Sequence, residues 1–175
     1  MAEIKSTLDL VMERTKNLRF SEEEKQAQKI EDAKKTLNGL IQQYLDQLLN
    51  EDELSSKIAG VRKQFQMADH AVLREVILDK ITLDTLDSPL PDLLSRLCRV
   101  DIEGLKALAR SYRQALARGR GTYGAELKST LQTRYGISGS AVEPNLDTDP
   151  GWQREIRSRL AELETKLSRE KSGII

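Results

Sequence analysis

A chain of 175 residues favours one domain with room for an appendage, and 38% apolar residues with only 4% aromatics require a core of leucine, isoleucine, valine and alanine. Such a core is modest for the length, so an elongated shape or a dimer that adds burial fits better than a compact monomer. The 28 basic and 28 acidic side chains cancel and one cysteine precludes an internal disulfide. No window approaches the roughly 18–20 apolar residues of a membrane span, and about the first 25 residues lack the apolar stretch of a secretion signal. The expectation is a cytoplasmic protein with Cys98 as a buried thiol.

In chain order, Ile4, Leu8, Val11 and Leu18 give a short amphipathic helix over residues 2–17. Phe20, just before the next helix, sits where a hydrophobic staple would, although Lys25 is a polar partner for it. Ser21-Glu22-Glu23-Glu24 is a capping box that opens a long helix toward Asn50. Ala27, Ile30, Leu37, Ile41, Tyr44 and Leu48 form its stripe, which other helices must cover. Gly39 inside it costs about 1 kcal/mol relative to alanine and admits either a close backbone or a slack surface.

Asn50 and Glu53 repeat the capping logic, and Leu54, Ile58, Val61, Phe65 and Ala68 follow as a seam, so the helix is expected to turn back on its predecessor. Asp69 is read as the cap of a helix through Leu73, Val76 and Ile77, with a strand as the weaker alternative because of its β-branched content. Residues 82–92 are turn formers, and Pro91 suits the first turn of a short apolar helix through Leu93, Leu94, Leu97 and Cys98. Asp101 then caps a helix carrying Leu105, Leu108, Ala109, Tyr112 and Leu116, which Arg118-Gly119-Arg120-Gly121 is expected to stop. Thr122 would open another through Leu127, Leu131 and Tyr135, closed by Gly136. After an extended stretch, Trp152, Ile156, Leu160, Leu163 and Leu167 form a narrow coiled-coil-like seam.

Chemistry is sparsely signalled. His70 is the only histidine, and its neighbour Asp69 would not face it on a helix, so a surface or satisfied histidine is the better reading. A lone histidine and a lone cysteine match no zinc spacing, and the Glu51–Glu53 run and the pair Asp147 and Asp149 lack calcium-loop spacing. The glycine-rich segments lack the phosphate-loop pattern. No catalytic residue, metal site, cofactor or small-molecule substrate is therefore assigned. Charge is uneven: residues 96–134 hold nine basic and three acidic side chains. Arg99, Lys106, Arg110 and Arg113 share helical spacing, and Arg118 and Arg120 extend the patch beside Tyr112 and Tyr123. Such a surface meets nucleic-acid phosphates and bases, or acidic groups of the same chain or of a partner protein.

The opening Met1-Ala-Glu-Ile-Lys-Ser-Thr-Leu-Asp-Leu-Val-Met-Glu-Arg-Thr-Lys resembles the start of small bacterial cytosolic all-helical proteins of unknown function. The resemblance covers about a tenth of the chain and implies a bacterial source but no functional residues. The reading is then an all-α, elongated bundle of six or seven helices: a bundle domain over 1–136, an extended linker over 137–151 and a C-terminal helix over 152–175. Its expected role is non-enzymatic protein interaction or scaffolding, most simply as a homodimer through Trp152, Ile156, Leu160, Leu163 and Leu167, with nucleic-acid binding by the basic region as the alternative.

Overall fold

The computed structural model describes residues 21–174, which contain six helices and no strand. They are α1 (Glu22–Leu45), α2 (Glu51–Gln64), α3 (Ala71–Lys80), α4 (Leu90–Cys98), α5 (Glu103–Tyr135) and α6 (Pro150–Ile174), with a 3-10 turn at Leu146–Thr148. The helix expected over 2–17 and the Phe20 staple lie outside the described residues. The chain divides into two compact units between Ala68 and Asp69, inside the span 1–136 that the sequence pattern groups together. Periodicity is blind to that division because amphipathic helix lies on both sides of it.

In the first unit, both capping boxes form. The Ser21 hydroxyl accepts from the Glu24 N–H at 3.1 Å while the Glu24 carboxylate accepts from the Ser21 N–H at 2.7 Å, and Asn50 and Glu53 do the same at 2.9 and 3.0 Å. Helix α2 turns back and packs on α1, burying Leu54, Ile58 and Val61 on one side and Ala33, Leu37 and Ile41 on the other. The stripe of α1 is shorter than its spacing suggests. Ala27 and Ile30 are exposed, and Leu48 lies beyond the helix end at 72% exposure. Gly39 is exposed with no atom near its missing β-carbon, so it is the slack alternative.

Both helices end in Schellman motifs with glutamine, not glycine, in the left-handed position. The Gln47 and Leu48 N–H groups donate to the Tyr44 and Gln43 carbonyls, and the Gln66 and Met67 N–H groups to those of Lys63 and Arg62. Gln47 has φ 59° and Gln66 has φ 57°. Gln47→Gly and Gln66→Gly are each expected to raise unfolding free energy by about 1 kcal/mol, because the β-carbon disfavours this conformation. Urea unfolding of the two variants against the parent checks it.

In the second unit, Val76 and Ile77 are helical despite their β-branched side chains. Asp69 and Asp101 each act one residue before the formal cap, accepting from the Ala71 N–H at 3.1 Å and the Glu103 N–H at 3.0 Å. Pro91 sits in the first turn of α4, whose Leu90, Leu93 and Leu94 are buried, while Cys98 is only half-buried, contrary to the expected buried thiol. Helices α3 and α4 pack together, and α6 packs on α5.

The largest departure from the sequence expectation is α5. Residues 118–121 do not stop it, Thr122 opens no new helix, and one unbroken helix of 33 residues runs to Gly136, whose φ of 65° ends it. Gly119 is retained inside the helix because its face is covered: a β-carbon built there would lie 3.0 Å from Cη2 and 3.2 Å from Cζ3 of Trp152. Gly121, two residues on, is exposed with nothing within 4 Å. Gly121→Ala is accordingly expected to stabilise the protein by about 0.5–1 kcal/mol, read as a higher midpoint in thermal or urea unfolding.

Candidate functional site

Where α6 meets α5 is set by a small cluster at the start of α6. The indole of Trp152, 4% exposed, rests on the notch left by Gly119, and its ring centroid is 5.8 Å from that of Tyr123 at a tilt of 47°. Asp149 accepts from the Trp152 N–H at 2.8 Å and from the Tyr123 hydroxyl at 2.8 Å, so one carboxylate caps α6 and ties it to α5. Arg120 pairs with Asp147 at 2.7 Å in the preceding turn. Near the other end of α6, Glu170 lies against Gly104, which makes α6 antiparallel to α5, and Arg74 donates to the Ile174 carbonyl at 2.9 Å.

The hydrogen bonds from the Trp152 N–H, the Tyr123 hydroxyl and the Gly151 N–H hold the Asp149 carboxyl below its ordinary range, while the same contact raises the Tyr123 hydroxyl. A depressed carboxyl adds stability above its unfolded pKa, and this is lost as pH falls through the folded value. The start of α6 is therefore expected to loosen below about pH 4. The fluorescence of Trp152, the sole tryptophan, should report an acid transition that Asp149→Asn diminishes.

This packing determines what becomes of the seam assigned to a partner. Trp152, Leu163 and Leu167 are buried, and Ile156 and Leu160 are half-buried, in a helix that packs on α5 of the same chain. Narrow periodicity marks a seam without saying which helix fills it, and here the same chain supplies that helix.

The basic patch is likewise engaged from within. Lys106 meets Asp92 at 3.5 Å, Arg113 meets Asp87 at 3.4 Å, and Arg120 meets Asp147. The Tyr112 hydroxyl donates to Asp84; burial first, then that contact and the charges of Asp84 and Asp87, push its pKa up to about 12. Of the six cations assigned to the patch, Arg99, Arg110 and Arg118 have no ion-pair partner among the described residues. Spacing placed the cations on one face; it could not show that aspartates from distant segments come to meet them.

Among the described residues no three His, Cys, Asp or Glu side chains are grouped to hold a metal ion. His70 directly precedes α3 and is half-buried. An open concavity of about 400 Å³ at the end of α2, lined by Ala59, Arg62, Lys63 and Met67, brings together no acid and base. No described helix is long and apolar enough to cross a membrane.

Among the described residues of the second unit, the large apolar side chains that are exposed, Tyr135 and Ile137, lie at the far end of α5, which the sequence pattern did not mark out. Helix α6 begins level with Gly119 and Tyr123, so α5 continues past it. Leu127 and Leu131 there are half-buried, Tyr135 is 67% exposed and Ile137 is 49% exposed. The chain after Gly136 runs back beside this end and forms an open groove of about 380 Å³ between Ala125, Lys128, Gln132, Ile137 and Val142. The run Leu127, Leu131, Tyr135 was visible in the sequence, but the false stop at Gly119 made it a separate helix.

No family model, no curated protein and no solved structure matches this chain.

Proposed function

We propose that this chain is a non-enzymatic interaction or scaffolding protein that binds another protein chain through an apolar helix face. The observation that carries the reading is the exposed far end of α5, where Tyr135 and Ile137 present large apolar side chains beside Leu127 and Leu131. Such patches, bordered by polar residues, are where soluble proteins bind one another. The partner can be a second copy or a different protein. Solution mass by light scattering separates the two: a homodimer through this face becomes a monomer in the Tyr135→Ser, Ile137→Ser double variant. Affinity capture from the native host with the parent and the same variant tests the reading as a whole. A protein held by the parent and released by the variant is the expected result; a monomer that captures nothing contradicts it.

A further inference from the structure

The near half of α5 shows what kind of surface covers this helix. Beside the buried Leu105, Leu108 and Ala109, its cations Lys106, Arg113 and Arg120 each meet an aspartate, from Asp92, Asp87 and Asp147 respectively. The covering segments add apolar side chains of their own, with Leu83, Leu86 and Leu90 buried around the first two aspartates. Leucine with aspartate is thus the chemistry that α5 accepts on this side.

The far half repeats the offer with only partial cover, Leu127 and Leu131 being half-buried and Tyr135 and Ile137 exposed. Leu127, Leu131 and Tyr135 recur at four-residue steps and so share a face, while the groove lined by Lys128, Gln132 and Ile137 lies on the neighbouring side of the helix. Leu146 lies against the Gly124 end, so the open part runs from Leu127 to Tyr135, about 12 Å and room for two turns of a docked helix. Lys128 and Arg134 are exposed beside the apolar stripe, neither has an ion-pair partner among the described residues, and Glu126 is the lone carboxylate over 124–142. A second copy bringing this same end would set cation against cation.

We infer that the Leu127–Leu131–Tyr135–Ile137 face of α5, bordered by Lys128 and Arg134, docks an acidic amphipathic helix of a different protein. The inference rests on the interaction reading above and adds the chemistry of the partner. Leucine-type side chains of the docked helix cover Tyr135 and Ile137, and its carboxylates meet the two cations as the chain's own aspartates meet Lys106, Arg113 and Arg120.

The test uses the full chain, isotope-labelled for NMR, and two synthetic helical peptides. Both carry leucines at four- and three-residue steps; one has glutamates flanking them, the other lysines. The glutamate peptide is expected to shift amides within 124–142, and the lysine peptide at equal concentration is not. Lys128→Glu with Arg134→Glu should weaken the glutamate peptide about tenfold and let the lysine peptide bind, with helical content unchanged. Equal binding of both peptides, or no shifts within 124–142, overturns the inference. So does broadening of those amides with protein concentration alone, which would mean that a second copy occupies the face. A host protein captured equally by the parent and by Tyr135→Ser, Ile137→Ser removes this face but leaves the interaction reading standing, whereas a monomer that captures nothing removes both.

Discussion

Trp152→Ala is expected to lower the unfolding free energy of the second unit by about 3–5 kcal/mol, the usual range for deleting a buried aromatic side chain. The size follows from how much of the α5–α6 contact this one residue carries. Helix α6 has 25 residues but buries only Trp152, Leu163 and Leu167, and Trp152 is much the largest of the three. Its removal opens a hole above Gly119 and takes away the ring contact with Tyr123, leaving Ile156 and the Tyr123–Asp149 hydrogen bond to hold the start of the helix. Urea unfolding followed by far-ultraviolet circular dichroism checks this, since the fluorescent probe is lost with the residue. A change below about 1 kcal/mol would mean that the indole is not seated as described.

Gly119→Leu is expected to be the second large effect, about 2–4 kcal/mol of destabilisation, although leucine favours helix over glycine by nearly 1 kcal/mol. The first added carbon already reaches within 3.0 Å of the Trp152 ring, so the remaining three must occupy the place of the indole. Gly121→Leu, with the same gain in propensity and open space around it, is the control and should be neutral or stabilising. The two large substitutions are also expected to couple. In Gly119→Leu with Trp152→Ala the leucine partly fills the hole left by the indole, so the double variant should be more stable than the sum of the singles predicts, by about 1–3 kcal/mol.

These two residues show where the sequence was legible and where it was not. Two helix starts were clear because capping is local: Ser21 with Glu24 and Asn50 with Glu53 are read within four residues and are present as read, whereas Thr122 opens no helix. The all-α class followed from the spacing of Leu37, Ile41, Leu54 and Ile58, which are buried as that spacing requires. Helix ends were read only in part: Gly136 ends α5 as expected, but left-handed positions also occur at residues other than glycine. Two ends fall at Gln47 and Gln66, while Gly119 and Gly121 lie inside a helix. A glycine kept for close approach and a glycine kept for positive φ look alike in one sequence, and only the indole above Gly119 separates them.

The candidate surface was less legible still. The seam from Trp152 to Leu167 stood out because it is regular, yet regularity fits a helix of the same chain as well as one from a partner. The far end of α5 did not stand out, because its exposure depends on where α6 begins. Similarly, the cations of α5 were visible as a face, but the aspartates that engage half of those assigned come from outside that block.

The packing of Trp152 on Gly119 within one chain is the point on which the rest turns, since it seats the start of α6 on α5 and leaves the far end of α5 beyond it. It is tested most directly by nuclear Overhauser contacts between the Trp152 ring protons and the Gly119 α-protons. The measurement is made on a uniformly labelled sample and again, with isotope filtering, on refolded mixtures of labelled and unlabelled chains. The contact should be strong in the first and missing from the filtered experiment; its absence from the first, or its appearance between labelled and unlabelled chains, would contradict the account.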